Sequence, residues 1–151
     1  MSRKPSVLQD HPVDFADAKA AGLYRAVCQY VVDGDTADFL IDLGLYQYAY
    51  TALRVIGVDT PELVGVPAEV KAAGLAAKAR TEALLLDRPA LLDTRREKRS
   101  FERFVGRVWL PRPDDLAVPP AQLTPLQVGD TVFVDLAEVL IAEGHGKPIR
   151  G

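Results

Sequence analysis

Between residues 36 and 43 apolar and polar side chains alternate. Ala37, Phe39, Ile41 and Leu43 fall on one face, and Thr36, Asp38 and Asp42 on the other. A period of two predicts a half-buried strand. The preceding run, LYRAVCQYVVDGD, reads as a first strand. YQYAYTALRVIGV, beyond the turn at Gly44, reads as a third, rich in aromatic and β-branched residues. Pro61 in DTPE cannot continue a ladder, and the meander stops there. The pattern then changes. Pro67 suits the first position of a helix, and AEVKAAGLAAKARTEALLL is built largely from Ala, Leu, Glu and Lys, predicting a helix that ends near Asp87-Arg88-Pro89. ALLDTRRE and RFVGRVWLP read as a fourth and a fifth strand, joined through the basic tip REKRSFE. Residues 113–130, Pro-rich and without apolar period, predict a surface excursion, and VGDTVF a loop entering a strand. TVFVDLAEVLIAEGHG closes the fold with a second helix. There, Asp135 and Glu138 have capping-box spacing and Gly144 sits where a C-terminal cap belongs. Residues 1–22 read as a polar lead-in and 148–151 as a tail, leaving one domain over 23–147. Three strands, a helix, two strands and a helix predict a β-barrel with helices, a five-stranded OB-fold. An open α+β sandwich is the alternative.

The chain of 151 residues suits a single core. Its net charge of -3 does not advertise a nucleic-acid binder. No apolar run approaches the roughly 20 residues of a membrane helix. The start, MSRKPSVLQDHPVDF, has no apolar stretch after its basic residues, so the expectation is a cytoplasmic protein with no membrane partner. Cys28 is the only cysteine and reads as a small buried apolar residue.

Asp-Gly between apolar runs is a hairpin signal, so Asp33-Gly34-Asp35-Thr36 read alone is a turn. Asp35, however, is in phase with Ala37, Phe39 and Ile41. A carboxylate on that face, at the lip of the core, needs a cation or strong donors. A second acid, Asp59, ends the third strand and is followed by Thr60, Pro61 and Glu62. Strand ends can meet at one rim, where Asp35 and Asp59 would share a hard divalent ion. Arg54, five residues before Asp59, is expected to point inward toward an anion. Two carboxylates, a cation, a further glutamate and an arginine compose a phosphate-hydrolysing site. Gly129-Asp130-Thr131 repeats part of the turn motif without a paired partner.

The segments VVDGDTADFLIDLG, LRVIGVDTPE, GLAAKARTEALLL, SFERFVGRVWL and LAEVLIAEGHG, in this order and spacing, resemble the staphylococcal (thermonuclease-type) nuclease domain over roughly residues 24–147. The resemblance implies an OB-fold, calcium-dependent phosphodiesterase acting on DNA and RNA. It assigns Asp35, Asp59 and the Thr60 backbone carbonyl to the calcium ion, with Asp33 close to the metal but not touching it. Glu62 matches the glutamate that holds and deprotonates the attacking water. Arg54 matches one of two phosphate-binding arginines. Alignment along the strand puts Phe101 at the family's aromatic place, Glu102 at its glycine place and Arg103 at its second arginine. Arg107, in Val105-Gly106-Arg107, is the competing choice. Arg99, Phe101 and Arg107 are read as additional substrate contacts. Glu102 for glycine, Phe101 for tyrosine and HGKPIRG in place of tyrosines after the last helix are departures.

The tip carries Arg95, Arg96, Lys98, Arg99 and Arg103 against Glu97 and Glu102, a local charge of +3. It is either a solvated tip or a steering patch for a polyanion. Tyr46, Tyr48 and Tyr50 alternate on one strand face and read as sheet packing, with a base-stacking platform as the alternative. His11 and His145 read as surface residues and Trp109 as core. The expected function is a monomeric calcium-dependent nuclease of little sequence specificity, favouring single-stranded or frayed DNA or RNA. The alternatives are an OB module that binds nucleic acid or protein without cleaving it, and a small calcium-binding structural domain.

Overall fold

The computed structural model describes residues 23–94 and 104–149. The first meander is β1 (Leu23–Asp33), β2 (Thr36–Gly44) and β3 (Gln47–Val55), antiparallel throughout. A turn at Gly57 (φ 92°) leads to β4 (Val58–Asp59), and α1 follows over Ala68–Leu85. Next come β5 (Pro89–Asp93), which pairs with β1, and β6 (Phe104–Pro111), which pairs with β5. A hairpin of β7 (Pro125–Val128) and β8 (Thr131–Asp135) extends from β6. The chain then forms α2 (Leu136–Ala142) and β9 (Lys147–Pro148), which pairs with β4.

Closure comes from one short parallel contact. Leu53, Arg54 and Val55 of β3 stand beside Phe104, Val105 and Gly106 of β6. This joins β1, β2, β3, β6 and β5 into a closed five-strand barrel with two helices, an OB-like fold, and overturns the open sandwich. Gly106 permits it: a Cβ there would lie 3.0 Å from the Asp93 carbonyl oxygen and 3.1 Å from Leu53 Cδ1. Phe39, Leu53, Val55, Leu92, Val108 and Leu110 fill the barrel, and Leu85, Leu136 and Leu140 carry the same core to both helices.

Local chemistry explains most boundaries. Asp135 caps α2, its side chain accepting from the Ala137 amide at 2.9 Å. Glu138 does not complete the capping box but accepts from the Thr124 amide and hydroxyl, each at 2.7 Å, anchoring β7's approach. Gly144 (φ 81°) ends the helix in a Schellman arrangement, with the His145 amide donating to the Leu140 carbonyl and Gly144 to Ile141.

Several boundaries correct the sequence reading. Pro67 caps α1 rather than opening it. The third strand stops at Val55, and Tyr46 belongs to the β2–β3 turn, where Leu45 (φ 53°) and Tyr46 (φ 59°) take the left-handed conformation usual for Asn-Gly. The stretch read as a surface excursion holds a short 3-10 helix (Pro120–Gln122), the strand β7 and a buried Leu123. Leu43 leaves the core face, because pairing shifts register between Asp42 and Gly44. Cys28 and Trp109 are buried as expected. Burial raises the Cys28 thiol to about 11, which keeps it un-ionised. Among the described residues no helix is long and apolar enough to cross a membrane.

Candidate functional site

The β1–β2 turn is held from one side by α1. The buried Thr81 hydroxyl donates to the Gly34 carbonyl at 2.7 Å. A Cβ on Gly34 would lie 2.7 Å from Thr60 Cγ2 and 2.9 Å from Ala77 Cβ, so glycine lets the turn, the DTPE segment and the helix meet. Asp35 follows, 3% exposed. Its carboxylate accepts from the Thr36 hydroxyl at 3.2 Å and from the Thr60 amide at 3.1 Å, and its own amide donates to Asp33 Oδ1 at 3.1 Å. One buried side chain thus ties the DGDT turn to DTPE, 25 residues later.

Arg54 completes the rim. In β3 it stands opposite Thr36 of β2 and beside Val105 of β6. Its neighbours Leu53 and Val55 are the core-facing residues, so Arg54 points away from the barrel interior, not into it as its apolar strand implied. Its Nη2 lies 3.7 Å from Asp35 Oδ2 and 3.5 Å from Asp59 Oδ1. Asp59 is more than half exposed on β4, opposite Lys147 of β9. Gly146 lets β9 close on it, since a Cβ there would come 2.5 Å from Val58 Cγ2. A groove of about 450 Å³ opens beside Asp59, between Pro61, Val70 of α1, His145 and Lys147.

Glu62 is exposed in the loop after Thr60. The loop's backbone rests on α1 at Gly74, where a Cβ would lie 2.7 Å from the Pro61 carbonyl and 3.0 Å from that of Glu62. Asp33 is pushed up to about 6, first by partial burial and then by the neighbouring Asp35 carboxylate. Among the described residues the rim carries Asp33, Asp35 and Asp59 against Arg54, with Lys147 across from Asp59.

Asp33, Asp35, Arg54, Asp59 and Thr60 are therefore gathered at one rim, with Glu62 in the adjoining loop. Arg107 is elsewhere. It leaves β6 toward Asp135 Oδ2, 3.2 Å from its Nε, and lies over the Trp109 ring at 5.5 Å. The glycine before it serves barrel closure. Arg99, Phe101 and Arg103, with Glu102, lie outside the described residues. Tyr48 and Tyr50 do not pack into the sheet; their rings are exposed on the outer face of β3. The sequence reading passed over Thr81, Gly74 and Gly146, which position the rim without taking part in chemistry. Gly74 carried a signal, because a glycine inside an Ala-rich helix costs about 1 kcal/mol and calls for a close approach.

The donors at the rim, two aspartates and the Thr60 backbone, are all oxygen, the set a hard divalent cation takes. Among the described residues no three His, Cys, Asp or Glu side chains form a metal-holding group. Compared with protein-family models the chain matches none, and no curated protein matches it.

Proposed function

We propose that this chain is a calcium-dependent nuclease of the thermonuclease type, hydrolysing phosphodiester bonds of DNA and RNA with little regard to sequence. The observation that carries the reading is Arg54 between two carboxylates, at separations of 3.5 and 3.7 Å. Those are longer than a charge-assisted hydrogen bond of about 2.8 Å, so the guanidinium keeps donors for a phosphate.

Asp35, Asp59 and the Thr60 carbonyl would hold the calcium ion, whose charge, when bound, neutralises the phosphate and acidifies water. Arg54 binds the phosphate with two parallel N–H bonds, which strengthen as negative charge builds on the equatorial oxygens. Glu62 accepts the proton of the attacking water as the water oxygen bonds to phosphorus. The bond from phosphorus to the leaving oxygen breaks, and that oxygen takes a proton from solvent. Arg103 supplies the second guanidinium. Backbone contacts of this kind favour flexible single-stranded or frayed substrates and are indifferent to base identity.

The test is cleavage of single-stranded and duplex DNA with calcium and then with EGTA, alongside Glu62→Gln, Arg103→Ala and Arg107→Ala. Calcium-dependent cleavage, abolished in the first two variants, is the expected result. Loss in Arg107→Ala with Arg103→Ala active would move the second arginine to Arg107. A wild type that binds DNA without cutting it would favour the second reading, a non-cleaving OB module. The chain's net charge of -3 and Glu102 beside Arg103 are what favour that reading.

A further inference from the structure

We infer that the outer face of β3 is a base-stacking platform for single-stranded nucleic acid, running from Arg54 through Tyr50 and Tyr48; this rests on the nuclease reading of the rim. Arg54, Ala52, Tyr50 and Tyr48 occupy every second position of one strand, so all four share a face. Both rings are open to solvent, at 61% for Tyr50 and 60% for Tyr48. Leu40 of β2 stands directly opposite Tyr50 and supplies an apolar floor between the strands.

The spacing suits bases. Residues two apart on a strand are separated by about 7 Å, twice the roughly 3.4 Å rise of stacked nucleotides, so one base fits between the two rings. Beside Tyr48, across β2, β1 and β5, the face opens into a groove of about 440 Å³, walled by Val27, Leu40, Leu91 and Phe133. A strand whose phosphate sits at Arg54 has stacking surfaces laid along its path for several nucleotides.

Two acids of β2 lie on this face, one ion-paired and one held by a single long hydrogen bond. Asp42 is bound by the Arg25 guanidinium at 2.6 Å and by the Gly44 amide at 2.8 Å. Asp38 accepts from the Tyr50 hydroxyl at 3.4 Å. The platform takes affinity from rings rather than from cations, which suits a chain with a net charge of -3. Stacking is blind to base identity because every base has a π-face. Duplex DNA, whose bases are already stacked on one another, has none to offer.

The test uses the full chain and two readouts. The first is binding of a fluorescein-labelled oligothymidylate in EGTA, where cleavage does not intrude. The second is hydrolysis of bis(p-nitrophenyl) phosphate in calcium, a diester too small to reach the platform. Tyr48→Ala/Tyr50→Ala should weaken oligonucleotide binding by about tenfold or more, with hydrolysis of the small diester unchanged. Tyr48→Phe/Tyr50→Phe should restore binding. If the alanine pair binds as tightly as wild type while the small diester is still cleaved, the platform is overturned and the nuclease reading stands. If the tyrosines govern binding but nothing is hydrolysed, the nuclease reading fails and the platform stands. If wild type neither binds nor hydrolyses, both are overturned.

Discussion

Two arginines in this chain each face two carboxylates, and the arrangements differ in kind. Arg80 of α1 binds Glu143 at the end of α2 through Nε at 2.6 Å and Nη2 at 2.9 Å, and Asp115 through Nη1 at 2.9 Å. Glu143 is 5% exposed and also accepts from the Ala117 amide. Arg54 stands 3.5 and 3.7 Å from its acids and donates no such short bond to them. Burial opposes ionisation of Glu143, yet its hydrogen bonds from Arg80 and Ala117 hold it below the ordinary carboxylate range. At the rim, burial and Asp35 push Asp33 up to about 6. The Arg80 cluster is satisfied and locks two helices to the 113–118 segment. The Arg54 cluster is looser, its guanidinium making no contact with its acids shorter than 3.5 Å. Neither residue identity nor burial separates the two, since each arginine meets one buried and one exposed acid; distance does.

Activity and stability should part along this division. Glu62→Gln should lower cleavage by about 10²–10⁴-fold with a thermal midpoint near wild type, and Arg54→Ala by about 10²–10³-fold with a smaller loss of stability than Arg80→Ala, because Asp35 keeps its bonds from Thr36 and Thr60, read from steady-state cleavage and melting curves. If either variant unfolded at moderate temperature, the rim would be structural after all. Arg80→Ala should do the reverse. Removing the cation from a largely buried Glu143 should cost about 3 kcal/mol of stability, while folded protein keeps its rate; urea titration decides it.

A subtler change probes the hinge between rim and scaffold. Gly34→Ala forces a methyl against Thr60 and Ala77, and overpacking of this kind should cost about 1–3 kcal/mol. Because Thr60 would be displaced, calcium affinity should fall as well. An unchanged calcium titration would detach the turn from the site.

The smallest effects are in pH dependence, and their signs are opposite. Glu143's folded pKa lies below its unfolded value, so its contribution is complete above about pH 4.5 and fades as pH falls through the folded value. The stability gap between wild type and Glu143→Gln should therefore narrow below pH 4.5. Asp135, the α2 cap, is raised to about 6 by burial, which the Ala137 amide and Arg107 only partly offset. Between about pH 4 and 6 the folded state holds a proton that the unfolded state has lost, so stability falls as pH rises through that window. Asp135→Asn should flatten that slope, measured by denaturation at several pH values.

Much of the architecture was legible. Alternation in residues 36–43, the composition of α1 and the caps at Asp135 and Gly144 are local signals, and each element formed where its residues favoured it. The rim was half legible: Asp35's phase with Ala37 and Phe39 marked a carboxylate that needed a partner. The direction of Arg54 was misread because a mostly apolar run conceals which face an embedded arginine takes. The 113–130 segment was underread because Leu123 and β7 are stabilised by Glu138 and β8, distant in sequence. Nothing near Arg80 distinguishes it from the other cations of α1.

What the sequence determined by itself was the order and type of elements, and the identity of the acids and arginine offered at strand ends. Those follow from side-chain period, propensity and capping, which act over a few residues. Only the tertiary structure decided that the barrel closes through three residues of β3 and β6, that Asp35 grips the Thr60 amide, and that Arg54 rather than Arg80 keeps its donors open. These depend on distances between segments remote in the chain, set by how Gly34, Gly74, Gly106 and Gly146 allow backbones to approach, and no local pattern encodes a separation of an ångström.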